Sequence, residues 1–221
     1  MKIKAVGFDI DGTLYPNFSM YIRSLSSFLS HQRLLYHFGK VRKEVRLTDY
    51  SGNFRDSQSK LLGYSMKISQ GKAADLMERH LYQKWVYSFK GVKPFKTVRP
   101  ALLALKREGL QLGALSDLPV EKKLDFLGLS DLMDIAFSSE ETGHLKPHSA
   151  PFTNMISRFG VNPEEILYVG NSYKYDILGA KKAGLRTAHF VKKTDSPSQA
   201  DFSFHSFIDL RDWILSINRP N

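Results

Sequence analysis

From residue 94 onward the chain repeats one unit, and few folds can accommodate it. Short apolar runs at 111–115, 135–137, 165–169 and 187–191 read as strands. Between and around them lie stretches of helical period at 98–108, 120–127, 149–159 and 173–183. Gly109, Gly128, Gly160 and Gly184 stand just past these helices, where a left-handed residue commonly closes the last turn. The N-terminal run 4–9 reads as one more buried strand, 202–204 as an edge strand, and 208–217 as a closing helix. Strands that are apolar throughout, each followed by a helix, belong in a parallel sheet covered on both faces. The expected class is therefore α/β, a doubly wound parallel sheet. At 221 residues, the chain suits one large domain, or one domain with an insertion.

Residues 16–96 break the pattern. Tyr21, Ile22, Leu25, Phe28 and Leu29 share one helical face, with Ser19 as the expected N-cap. Ala73, Leu76, Met77, Leu81 and Trp85 form a second such face, which Gly91 and Pro94 end. This stretch holds fifteen Lys and Arg against five Asp and Glu, a surplus equal to the whole net charge of +10. A helical, basic insert (16–96) in a neutral α/β body (1–15 and 97–221) is the expected organisation. The charge suits either a solvated helical surface or the steering of an anionic substrate. No helix-turn-helix, RNA-binding aromatic signature or tight arginine cluster favours nucleic acid.

Two further features exclude whole classes of function. There are no cysteines, so disulfides, thiolate zinc sites and cysteine nucleophiles are out. No apolar run reaches the roughly 18 residues of a membrane span. The first nine residues meet a carboxylate too early for a secretory leader, so a cytoplasmic protein is expected.

In open parallel sheets, ligands gather beyond the carboxyl ends of the strands. The residues just past the expected strands are Asp9-Ile10-Asp11-Gly12-Thr13, then Ser116-Asp117, then Gly170-Asn171 with Asp176 one turn on; Lys146-Pro147 falls between the last two groups. Two carboxylates so close together after a buried strand call for a cation, and hard oxygen donors suit Mg²⁺. Gly12 lets the chain turn and frees amide N–H groups for an anion. Ser116 adds a hydroxyl and Lys146 a fixed positive charge. Such a set fits the transfer of a phosphoryl group.

These residues resemble the four motifs of the haloacid dehalogenase-like (HAD) hydrolases. Phe8-Asp9-Ile10-Asp11-Gly12-Thr13-Leu14 resembles the first motif and Ser116, at its strand end, the second. Lys146-Pro147 resembles the third, and Gly170-Asn171 through Asp176 the fourth, all in the family's order. The resemblance implies that Asp9 is a nucleophile forming an aspartyl-phosphate. Asp11 would protonate the leaving oxygen and then activate water. Ser116 would hold a phosphate oxygen, assisted by the backbone of Asp117 or Gly12, and Lys146 would neutralise charge. Mg²⁺ would be held by Asp9, the Asp11 carbonyl, Asp176 and Asn171. The insert would be a helical cap that closes over the site.

Relatives that cleave carbon–halogen bonds lack an Asp at the position of Asp11, so its presence here favours phosphate esters. Asn171 stands where many phosphatases of the family place Asp; an amide still offers an oxygen but removes one negative charge. The implied activity is a Mg²⁺-dependent phosphatase acting on a small phosphorylated metabolite, as monomer or homodimer. The alternatives are a phosphomutase of the same superfamily and a non-catalytic anion- or nucleic-acid-binding protein. His144 and His148 are expected on the surface, and His31, His37 and His80 lack metal-ligand spacing. Trp213 is expected in the core.

Overall fold

The computed structural model describes residues 2–23, 30–48, 53–191 and 198–219. Leu25, Phe28 and Leu29, and the Trp85 side chain, lie outside what it describes. Six strands form one parallel sheet: β1 (Ala5–Asp9), β2 (Gln111–Ser116), β3 (Ile135–Ser138), β4 (Ile166–Gly170), β5 (Arg186–Phe190) and β6 (Phe202–Phe204). Their spatial order is β3-β2-β1-β4-β5-β6, and every pairing is parallel. The chain runs outward from β1 to β3, then crosses back to β4 on the other side of β1. That reversal opens a crevice at the carboxyl ends of β1 and β4, where open α/β sheets bind ligands.

Each strand buries both faces. Val6 and Phe8 join Leu112, Ala114 and Val169 in a cluster with Leu102, Leu105, Leu210 and Ile214 from the helices below. Ala5, Leu115 and Tyr168 face the other way, toward Phe152, Met155 and Phe159. Trp213 is only partly buried and stacks on Phe202 with ring centroids 4.5 Å apart. The expected glycine caps are present: Gly109, Gly128, Gly160 and Gly184 all have positive φ. The helices of the sheet layer are α6 (Val98–Arg107), α7 (Glu121–Leu127), α8 (Ser149–Phe159), α9 (Leu178–Lys182) and α10 (Phe207–Asn218). The turn expected as the start of one helix over 173–183 is instead a π-helical turn, Tyr173–Ile177, ahead of α9.

Before α6 come α1 (Asn17–Arg23), α2 (Gln32–Val45), α3 (Phe54–Met66), α4 (Gln70–Met77) and the short α5 (Lys84–Tyr87). Ser19 lies inside α1 rather than capping it, because the helix begins directly after Pro16. Leu34, Phe38, Val41, Leu62, Ala73 and Leu81 form a separate apolar cluster, closed from the sheet side by Leu145. Met20, Phe89 and Val92, from the two ends of this stretch, pack instead into the main cluster beneath the sheet. Among the described residues no helix is long and apolar enough to cross a membrane.

Gly113 in β2 shows how tightly the layers close. A Cβ there would lie 2.6 Å from Ile135 Cγ1 and 2.7 Å from Phe159 Cζ. Overpacking of this kind costs about 1–3 kcal/mol. Gly113→Ala is therefore expected to lower the melting temperature by several degrees, as a thermal melt at neutral pH would read.

Candidate active site

The crevice between β1 and β4 is roofed by α1 and α2 and encloses about 410 Å³. Asp9, Asp11, Asp117, Lys146, Asn171 and Asp176 all line it. The expected site residues, separated by up to 167 positions in sequence, meet because each follows the carboxyl end of a strand or the 139–148 connection.

Lys146 is the centre of the cluster. Its Nζ donates to Asp9 Oδ1 and to Asp176 Oδ1, both at 2.7 Å, and lies 3.2 Å from the Tyr168 hydroxyl. All three charged groups are buried. Burial works against the ammonium, but the facing Asp176 and Asp9 carboxylates outweigh it and hold Lys146 well above its usual range. One cation cannot satisfy both carboxylates. Burial first, then repulsion from Asp176, lifts Asp9 to about 7 despite Lys146, with Asp11 adding to the rise. The Thr13 hydroxyl donates to Asp9 Oδ2 at 2.6 Å, and the backbone N–H of Ser172 holds Asp176 Oδ2 at 2.9 Å. Asp176 fits only because residue 170 is glycine: a Cβ there would lie 2.3 Å from Asp176 Cβ.

Asp11 is turned toward the other side of the crevice. Its Oδ2 accepts from Lys123 Nζ and from the Ser116 hydroxyl, both at 2.7 Å, and its Oδ1 accepts from the Tyr15 hydroxyl at 2.6 Å. Burial alone would raise Asp11, but the Lys123 ammonium and these three hydrogen bonds bring it below its ordinary value. Ser116, expected at a phosphate oxygen, is fully buried and spends its hydroxyl hydrogen on Asp11; it is not among the described residues that line the crevice. Gly12, at φ 86°, also lies just behind the wall; a Cβ there would meet the Asn171 and Asn17 amides at 2.4 and 2.7 Å. Asn171 Oδ1 lies 3.3 Å from the Thr13 hydroxyl.

Three residues of this site carried no sequence signal. Lys123 is buried in α7, although Lys122-Lys123 reads as an ordinary solvated pair. Arg42 on α2 and Arg46 at its C-terminal cap, one turn apart, reach down to the sheet layer. Arg42 pairs with Glu140 and donates to the Asp117 carbonyl at 2.5 Å. Arg46 donates to Asp117 Oδ2 at 2.5 Å and to the Lys146 carbonyl at 2.6 Å, and its guanidinium lies 4.5 Å from the Tyr175 ring centroid. Asp117 thus ties the roof to the floor. Its Oδ1 also accepts from the Ser139 hydroxyl and the Lys146 N–H.

His144 and His148 are half-buried rather than on the surface, stacked with ring centroids 3.8 Å apart, and His148 Nδ1 caps α8 by accepting from the Ala150 N–H. Neither lines the crevice.

The donors facing the crevice are hard oxygens with more carboxylate than cation, the chemistry of a divalent-metal site. The elevated Asp9 and the Asn17 Oδ1 atom, buried without a hydrogen-bond partner and lining the same crevice, both fit an added cation or its water. Among the described residues no group of three or more His, Asp or Glu is arranged to hold a metal ion, and Lys146 Nζ lies 2.7 Å from both Asp9 and Asp176.

The model of the haloacid dehalogenase-like hydrolases matches residues 3–184. The chain belongs to this family. It is 29% identical over 191 residues to pyrophosphatase PpaX of Bacillus cereus, covering 85% of this chain and 83% of the relative, and matches PpaX of Bacillus anthracis equally. The 2-haloacid dehalogenase of Pseudomonas syringae superposes with a TM-score of 0.71 at 24% identity, covering 97% and 99% of the two chains. A HAD phosphatase from Thermococcus onnurineus gives 0.61 at 24% identity, covering 97% and 98%. At such identities these two structures establish the fold, and family membership establishes a hydrolase.

The ties on Asp117 carry a pH signature. Burial would raise its carboxyl, but Arg46, Lys146, Arg42 and the Ser139 hydroxyl pull it from 3.8 down to about 2. A depressed carboxyl stabilises the fold above its unfolded pKa and loses that contribution as pH falls through the folded one. Asp117→Asn is expected to cost on the order of 2 kcal/mol at pH 7. The deficit relative to wild type should shrink as pH drops from about 4 toward 2, and paired thermal melts at these pH values check it.

Proposed function

We propose that the protein is a Mg²⁺-dependent phosphatase acting on a small phosphorylated metabolite, with residues 16–96 as the cap over its site. The observation that carries this reading is the shared ammonium: Lys146 Nζ at 2.7 Å from both Asp9 and Asp176. It keeps the Asp9 carboxylate fixed at the mouth of β1 and places positive charge where a phosphoryl group would sit.

In this reading an Asp9 oxygen attacks phosphorus, and the bond from phosphorus to the ester oxygen breaks. The departing oxygen takes a proton from Asp11, which is held below its ordinary range at rest and picks that proton up from solvent as the substrate enters. Water then attacks the phosphorus of the aspartyl-phosphate, gives its proton to Asp11, and releases phosphate and the Asp9 carboxylate. Asp11 must exchange its bonds to Lys123, Ser116 and Tyr15 for the substrate oxygen to do this, so those donors hold it in its resting position. Lys146 balances charge on Asp9 and on the transferring group throughout. Mg²⁺, held by Asp9, the Asp11 carbonyl and Asp176 with Asn171 beside them, would screen the phosphoryl oxygens. Asp11 supports ester hydrolysis over dehalogenation, since leaving-group protonation is the step that an ester requires and a halide does not. We further propose that the protein works in the cytoplasm as a monomer or homodimer.

The test is hydrolysis of an aryl phosphate with Mg²⁺, with EDTA, and by Asp9→Asn. Turnover should depend on the metal and fall at least a thousandfold in the variant; turnover that survives Asp9→Asn would contradict the assignment.

A further inference from the structure

The roof of the crevice and the cations around it specify the part of the substrate that is not phosphate. Beyond the carboxylate cluster and the polar Asn17, Asn171 and Ser172 beside it, the wall is mostly apolar: Met20 and Tyr21 from α1, Leu35 and Phe38 from α2, and Leu118 and Tyr175 from the sheet layer. The described lining carries three cations, Arg42, Arg46 and Lys146, against four carboxylates, Asp9, Asp11, Asp117 and Asp176. Each of those cations already faces an anion or a carbonyl: Arg42 faces Glu140 and the Asp117 carbonyl, Arg46 faces Asp117 and the Lys146 carbonyl, and Lys146 faces Asp9 and Asp176.

We propose that the substrate is a phosphate monoester whose organic group is uncharged and apolar, of the size of a single aromatic ring, and that a second phosphate or carboxylate is excluded. The inference rests on the phosphatase reading and narrows it. Lys146 and the Mg²⁺ of the phosphatase reading would both serve the transferring phosphoryl group, so a second anion beside the apolar wall would be desolvated against arginines already paired, a costly burial. An apolar group there gains by leaving water. The volume of about 410 Å³ lies near the small end of ligand pockets and suits a phosphate with one ring. The basic surplus of residues 16–96 does not alter this, because the two arginines it sends to the crevice are consumed in joining roof to floor.

Benzyl phosphate, glycerol 3-phosphate and inorganic pyrophosphate test the proposal with Mg²⁺ present. The first two both expel a primary alkoxide, so a difference between them reads recognition rather than leaving-group reactivity. Benzyl phosphate is expected to exceed both others in kcat/KM by tenfold or more. Leu35→Lys should erase that preference. Tyr21→Ser, at an exposed position, should reduce kcat/KM for benzyl phosphate severalfold more than for glycerol 3-phosphate. Pyrophosphate or glycerol 3-phosphate turned over as well as benzyl phosphate would overturn the proposal and leave the phosphatase reading standing. A benzyl preference that neither variant moves would overturn it too, since the recognition would then lie elsewhere. No turnover of any of the three would overturn the phosphatase reading and the proposal together.

Discussion

A single ammonium shared between two buried carboxylates organises this molecule. Asp9 ends β1, Asp176 follows β4, and Lys146 comes from the connection after β3. An isolated charge at that depth would be prohibitively costly, so each of the three depends on the other two. The dependence reaches into the backbone. Gly170 leaves room for Asp176, Thr13 and the Ser172 N–H complete the carboxylates' hydrogen bonds, and the strand order brings β1 and β4 side by side. The arrangement nevertheless leaves a shortage of positive charge, seen in the elevation of Asp9 to about 7. A site short of one cation is prepared for a ligand that brings charge of its own.

A second ionic layer sits above the first. Arg42 and Arg46 extend from α2 to Glu140, Asp117 and the Lys146 carbonyl, so the roof is held to the same loop that carries the shared lysine. Buried pairs of this kind add little net stability compared with apolar packing, but removing one partner is severe, which makes them effective at fixing register. Here they fix the apolar wall of α2 at a set height above Asp9. The position of the roof and that of the loop carrying Lys146 are thus one structural variable.

Much of this was legible in the sequence, for identifiable reasons. Strands buried on both faces and glycines just past each helix are local signals, and the helix 149–159 and the edge strand 202–204 lie where periodicity places them. Asp9, Asp11 and Asp176 are legible because strand ends in a parallel sheet converge on one edge, and Lys146 because Lys146-Pro147 resembles the family's third motif. What escaped was non-local. Lys123 reads as half of a solvated pair, and only the packing of α7 carries it under Asp11. Arg42 and Arg46 sit in a basic run whose inward-facing members cannot be told from its outward ones without knowing what α2 covers. Ser19 falls inside α1 rather than at its cap because the helix starts at Asn17, directly after Pro16. The π-helical turn holding Asp176 has no compositional mark.

The most direct measurement of the central claim is an acid-quenched turnover of an aryl phosphate labelled on phosphorus, followed by peptide mapping. The account predicts an acyl phosphate, labile to hydroxylamine, on the peptide that contains Asp9, and its absence in Lys146→Met protein that still folds. Label on any other residue, or steady hydrolysis with no covalent intermediate at Asp9, would contradict it.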